Sequence, residues 1–139
     1  MIKLSVRIQY GLQAVLELAF KYGGGPVQIA NISAKQKIPI RYLEQLMLIL
    51  KRGGIVASTR GIFGGYALAK HPADITLLEM INLLEGPIEL IGKKMKKEPV
   101  LYDAFAKVQD DLKKKFAAMT LEDFVMTKRD SDRTIIYNI

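Results

Sequence analysis

Apolar residues change their spacing several times along this chain, and each change marks an element. Between Val6 and Tyr22, Ile8, Leu12, Val15, Leu16, Ala19 and Tyr22 recur at helical spacing behind Ser5, whose hydroxyl can cap the first turn. That helix stops at Gly23-Gly24-Gly25-Pro26. Ile29, Ala30 and Ile32 mark a short second helix to about Gln36, and Lys37-Ile38-Pro39 is the turn after it. Pro39 suits only the start of a helix, so the third begins near Ile40. In that helix Leu43, Leu46, Met47 and Leu50 fall at i, i+3, i+4 and i+7 and face inward. Arg41, Glu44, Gln45, Leu48, Lys51 and Arg52 are thereby turned outward, and Gly53-Gly54 supplies a left-handed stop.

The spacing then changes to that of strands. Ile55–Thr59 and Tyr66–Ala69 are β-favouring runs on either side of a glycine-rich loop, which predicts an antiparallel hairpin with Arg60 at its base. Thr76-Leu77-Leu78-Glu79 has the form of a full capping box, opening a helix through Leu84 that Gly86-Pro87 closes. Lys93-Lys94-Met95-Lys96-Lys97 reads as a solvated, mobile connector. Beyond Pro99, Leu101, Ala104, Phe105, Val108, Leu112, Phe116 and Met119 form one apolar stripe about five turns long. The small N-terminal unit has little surface left to cover it, so Leu101, Phe105, Val108, Leu112 and Phe116 are expected to pair with the same helix of a second subunit. Folding back onto its own subunit is the alternative. A last helix opens at Thr120-Leu121-Glu122-Asp123, and the tail Ile135-Ile136-Tyr137 is apolar enough for an interface. The expected fold is mainly α with a small β-hairpin wing: a winged helix-turn-helix domain over residues 1–86, then connector, dimerisation helix and tail over 87–139.

This order of elements is what a DNA reader of that type requires, with one helix for the major groove and an Arg-bearing hairpin for the neighbouring minor groove or phosphates. Charge points the same way. Residues 1–74 hold ten Lys/Arg against three acids, a balance of +7, whereas the remainder is neutral. A polyanion is drawn to such a half. Anionic lipid is the less favoured partner, because the charges are not gathered on one amphipathic helix with large apolar anchors. No apolar run reaches membrane-spanning length, and Met1-Ile2-Lys3-Leu4-Ser5 lacks the apolar core of a signal peptide, so a cytoplasmic protein is expected. The 139 residues contain no cysteine, one histidine (His71) and four serines, which leaves no set of nucleophile, base and orienting group and no thiolate metal ligands. Neither an enzyme nor a cofactor or metal protein is expected. His71, beside Pro72, is expected to be solvated or near phosphate.

Taken together, Lys3-Leu4-Ser5, Tyr10-Gly11-Leu12, Tyr42-Leu43-Glu44-Gln45-Leu46, Gly64-Gly65-Tyr66-Ala67-Leu68, Ile75-Thr76, Leu84-Glu85-Gly86-Pro87-Ile88 and Thr120-Leu121-Glu122-Asp123 make the chain resemble the Rrf2 family of bacterial winged-helix repressors over nearly its whole length. The resemblance implies a homodimer, with a long C-terminal helix crossing between subunits and two winged domains on a palindromic operator. It is nearer to the cysteine-metabolism repressor branch than to the iron-sulfur branch, whose three cysteines lie in the interval occupied here by Glu89–Val100, which has none. The expected signal is a small-molecule effector bound between the domains or, as the resemblance implies, a cysteine-synthesis enzyme as co-regulator. Where the family's wing has a Pro-Gly pair, this chain has Ile62-Phe63. Phe63 is expected to dock against its own subunit, the alternative being an apolar wedge against sugar or a base step.

Within that frame Arg41, Glu44 and Gln45 are the candidates for base edges, since arginine pairs with guanine, glutamine with adenine and a carboxylate with cytosine N4. Arg60 is assigned to the minor groove, and Lys3, Arg7, Lys51 and Arg52 to phosphates. An i, i+3 pair with Arg41 is the plainer role for Glu44. A basic module that binds RNA or protein without operator specificity is the rival function.

Overall fold

The computed structural model describes residues 2–137. Six α-helices, a two-stranded hairpin and two short 3-10 turns follow one another in the predicted order: α1 (Val6–Phe20), α2 (Ile29–Gln36), α3 (Ile40–Arg52), β1 (Val56–Thr59), β2 (Gly65–Leu68), α4 (Leu77–Glu85), α5 (Pro99–Ala118) and α6 (Leu121–Tyr137). The 3-10 turns are Pro72–Asp74 and Lys93–Lys97, so the lysine run expected to be a mobile connector is locally coiled.

Helix α1 is the hub, packing against α2, α3, α4, α6 and β2. Ser5 caps it as expected, its Oγ accepting from the Ile8 N–H at 3.2 Å. The helix ends at Phe20 rather than Tyr22, and Tyr22 is exposed, its ring edge-on to His71 at 5.3 Å. His71 serves locally: its Nδ1 accepts from the Ala73 N–H at 3.0 Å and caps the Pro72–Asp74 turn. Ile8, Ala14, Val15, Leu18 and Ala19 join Ile32, Ile38, the inward face of α3, Ile55, Val56, Leu68, Ile75 and the α4 residues Leu77, Met80, Ile81 and Leu84 in one core. Leu121 and Val125, each 1% exposed, bring the start of α6 into that core.

Strand β1 pairs antiparallel with β2 in the register Val56↔Leu68, Ala57↔Ala67, Ser58↔Tyr66 and Thr59↔Gly65. The chain before α2 adds a bridge on the outer side of β2, Val27 and Tyr66 exchanging N–H to O bonds of 2.8 Å each way. A second bridge ties the two ends of the α4–α5 excursion: the Leu77 N–H donates to Met119 O at 2.8 Å and the Leu121 N–H to Ile75 O at 3.0 Å.

Two caps differ in kind. Thr76 Oγ1 accepts from the Glu79 N–H at 3.1 Å, but Glu79 Oε1 takes Lys70 Nζ at 2.7 Å, so the predicted box is half made, its acid drawn off by a lysine. Thr120 and Asp123 make the full reciprocal box at the start of α6, with bonds of 2.9 and 3.2 Å.

Helix α5 contains no buried residue. Its stripe divides along its length: Phe116 packs against the core, Leu112 is half-buried, and Leu101, Phe105 and Val108 stand 48%, 45% and 54% exposed. The alternative of folding back therefore holds for the C-terminal turns, while the N-terminal turns are left uncovered. The backbone of α6 is helical through Tyr137, while the burial of Ile135, Ile136 and Tyr137 lies outside what is described.

One charged side chain is buried among the described residues. Glu17, 2% exposed on α1, receives Lys35 Nζ at 3.0 Å, Gln36 Nε2 at 3.1 Å and Lys21 Nζ at 3.1 Å. Lys35 and Gln36 come from the last turn of α2, so this carboxylate pins α2 to α1. Burial alone would raise its pKa, but the bonds from Lys35 and Lys21 outweigh it and hold the carboxyl below its ordinary 4.5. A depressed folded pKa stabilises the fold at pH above the ordinary value, and that contribution is lost as pH falls through the folded value. Glu17→Gln should therefore cost about 1–3 kcal/mol at pH 7 and flatten the loss of stability on the acid side. Urea denaturation from pH 7 down to pH 3 measures both, and parallel curves for wild type and variant would show that the carboxylate contributes nothing.

Candidate nucleic-acid interface

The rotation of α3 decides which side chains face outward. Leu43, Leu46, Met47 and Leu50 are at most 1% exposed, as their spacing predicts, and Tyr42 adds an edge-on contact of 5.8 Å with Tyr10 of α1. Helix α2 is capped by Lys37, whose φ of 56° is left-handed, and Ser33 closes the turn by donating from Oγ to Ile38 O at 2.6 Å. Packed this way, α3 presents Arg41, Glu44 and Gln45 together, lining one open depression with Ile40 and Leu48. All five are exposed. Among the described residues no salt bridge engages Arg41, Glu44, Lys51, Arg52 or Arg60, so the plainer alternative for Glu44, a pair with Arg41, is not formed. These charges are left to solvent or a ligand.

The wing joins this surface directly. Lys51, in the last turn of α3, donates from Nζ to Ser58 Oγ of β1 at 2.6 Å, and Arg52 is exposed beside it. At the tip, the Gly64 N–H returns to Gly61 O at 3.0 Å, making a tight turn with Ile62 and Phe63 at its two corners. Glycine is required where the loop closes: a Cβ on Gly64 would collide with the Thr59 carbonyl, and Gly65 combines a φ of 149° with close approach to the Val27 carbonyl. Gln28, in front of α2, donates from Nε2 to Ile62 O at 3.1 Å and straps the tip to the helix-turn-helix. Arg60 is exposed at the edge of the turn. Phe63 does not dock against its own subunit: it is 91% exposed, and Ile62 84%. The loop is too short and too tightly closed for the ring to reach the core.

Lys3 and Arg7 lie elsewhere. Arg7 Nη1 donates to Leu84 O at the end of α4 at 3.4 Å, and Lys3 borders a cavity of about 550 Å³ between the N-terminal segment, the α4 terminus and α5. Ile8, Ile81, Leu112 and Phe116 line that cavity, and Ser5 Oγ donates to Glu85 on its rim. Ile40 and Gln28 are the parts of the surface that the sequence did not single out as contacts. Helical spacing could have found Ile40, which precedes Arg41 on the same outward side, but the Gln28 strap joins residues 34 apart.

The structure matches known winged-helix regulators throughout. A family model described as Rrf2, an iron-dependent transcriptional regulator, matches residues 4–127. The chain is a member of the Rrf2 family. Among Rrf2 relatives it is 37% identical over 121 residues to the HTH-type transcriptional regulator CymR of Bacillus subtilis (strain 168), covering 87% of this chain and 88% of that protein. The solved structure of CymR, the global cysteine regulator of B. subtilis, superposes with a TM-score of 0.81 at 35% identity, covering 91% of this chain and 98% of that one. T. potens IscR gives the same TM-score at 33% identity, with 94% and 90% covered. The chain thus carries the mainly helical, winged architecture of Rrf2 transcriptional regulators.

The iron of the family description does not suit these residues. A cluster takes thiolate ligands, and this Rrf2 chain has no cysteine and one histidine, whose Nδ1 is already engaged. Among the described residues no three His, Asp or Glu side chains gather at metal-binding separations. Among the described residues, too, no helix is long and apolar enough to cross a membrane.

Wing closure is directly testable. Gly65→Ala forces an L-residue into a φ of 149° against a backbone carbonyl and should lower stability by roughly 2–4 kcal/mol. Urea denaturation checks it, and an unchanged midpoint would mean that the Val27–Tyr66 pairing yields at no cost.

Proposed function

We propose that this Rrf2 protein is a repressor that binds a palindromic operator as a homodimer and blocks the promoter by occupying it. The observation that carries the proposal is the outward face of α3, where Arg41, Glu44 and Gln45 stand together, without ion pairs, on a helix that adjoins an Arg60-bearing wing. In this proposal Arg41, Glu44 and Gln45 meet base edges in the major groove and Arg60 enters the minor groove. Lys51 and Arg52 hold phosphates beside α3, and Lys3 and Arg7, at the start of α1 and apart from that face, hold phosphates further along the backbone. Residues 1–86 form the reading unit, and residues 87–139 supply the connector and dimerisation helix.

Uncovered Leu101, Phe105 and Val108 support the dimer, because an apolar stripe on an otherwise polar helix is stabilised when a second copy covers it. The likeness to CymR over most of both chains supports control of cysteine or sulfur metabolism. A small-molecule effector or a cysteine-synthesis enzyme acting as co-regulator supplies the signal. The protein acts in the cytoplasm, where the chromosome is.

Selection of bound fragments from genomic DNA tests the whole proposal. A single palindromic motif upstream of a coherent gene set is the expected result, and enrichment of RNA, or of DNA without a motif, would sink it. Arg60→Ala should weaken operator binding by roughly 1–3 kcal/mol at fixed salt. Glu44→Ala should relax base preference at one position of each half-site, so an identical selected motif would reduce Glu44 to a surface charge. Val108→Asp places an unpaired charge in the proposed seam at a cost of several kcal/mol. The variant should be monomeric or aggregated by light scattering, and a folded dimer with unaltered operator affinity would remove α5 from the interface.

A further inference from the structure

The wing tip breaks the usual chemistry of a tight turn. Corner positions favour Gly, Pro, Asn and Asp, yet the two corners here are Ile62 and Phe63, 84% and 91% exposed. Large apolar side chains so placed lose the stabilisation that burial would give them, and nothing in the turn geometry requires them. Nor is the tip loose. The Gly64 N–H to Gly61 O bond closes it, Gln28 Nε2 holds Ile62 O at 3.1 Å, and the Val27–Tyr66 exchange anchors the strand behind it. A probe held this firmly gives up little further backbone freedom on binding.

Its surroundings favour one occupant. Between Glu44 and Asp74 the sequence contains no acidic residue, while Lys51, Arg52 and Arg60 fall there and make no salt bridge among the described residues. The wing is also continuous with the outward face of α3 through Lys51 and Ser58. We infer that Ile62 and Phe63 form an apolar wedge that enters the DNA minor groove beside Arg60 and partly unstacks a base step at the flank of each half-site. The inference rests on the proposed operator binding and deepens it. Arginine reads a narrow, electronegative groove, whereas an inserted ring works best at pyrimidine–purine steps, which unstack most easily. The wing therefore selects for a TA or CA/TG step through deformability, adding a sequence preference that none of the polar contacts provides.

The probe is a duplex carrying the site that the wild-type protein enriches from random-sequence DNA, with 2-aminopurine substituted for adenine at successive flank positions. Wild-type protein should brighten emission at one flank step on each side, which reports unstacking, and Phe63→Ala should abolish the increase. Affinity of Phe63→Ala should fall about tenfold, with the same dependence on salt, because no phosphate contact is removed. Arg60→Ala should instead make the salt dependence shallower, by about one counterion's worth. Phe63→Leu, which keeps apolar bulk, should retain most of the affinity. Circular dichroism and a melting curve matching the wild type establish that the tip variants are folded. Unchanged affinity of Phe63→Ala overturns the wedge and leaves the tip to a protein partner or a lipid surface. A loss of affinity without any position of increased emission overturns it as well. Failure of the wild type to enrich any sequence overturns the operator-binding function itself, and this inference with it.

Discussion

The complete burial of Leu43, Leu46, Met47 and Leu50 governs the rest of this molecule. Successive residues of a helix are separated by about 100° around its axis, so four side chains with no access to solvent leave α3 a single permitted rotation. A slip of one residue would drive Glu44 into the core and turn Leu46 to water. The outward set of Arg41, Glu44 and Gln45 is therefore decided by what the opposite face buries. The same packing turns the C-terminal end of α3 toward β1, where Lys51 meets Ser58, so the helix and the wing behave as one piece.

Polar groups then hold in place what apolar packing brings together. Glu17 gathers Lys21, Lys35 and Gln36 at the junction of α1 and α2, away from the outward face of α3. Its negative charge is spent internally. Glu79 is likewise paired with Lys70. With those acids engaged, the exposed surface around α3 and the wing keeps Glu44 as its own acid among several cations.

Much of this was legible in the sequence because local periodicity carries it. The inward face of α3, the glycine-closed hairpin and the caps at Ser5 and Thr120 depend on residues a few positions apart, and they appear where spacing puts them. What escaped depends on distant partners. Glu17 lies among apolar residues of α1, and although Lys21 is a local partner, Lys35 and Gln36 come from 18 and 19 positions away, so the local pattern reads as a solvated i, i+4 pair and does not announce its burial. Glu79 satisfied the pattern of a capping box, yet Lys70 took its carboxylate from outside the helix. Phe63 invites a core assignment by its chemistry, and only the closure of the loop by Gly61, Gly64 and Gln28 reveals that its ring has no core within reach. The α5 stripe is continuous in sequence but meets two environments, since α4 covers its last turns alone.

The pairing of Ile75–Leu77 with Met119–Leu121 has an evolutionary consequence. It staples together the two ends of the excursion formed by α4, the connector and α5, so the return of the chain to α1 does not depend on the path the connector takes. Loop closure becomes only slowly less favourable with length. Residues between Gly86 and Pro99 can thus be inserted or deleted while α6 still meets α1 and the outward face of α3 keeps its shape. In a protein built this way the interval between the two helices is free to diverge while the surface formed by α3 and the wing is kept.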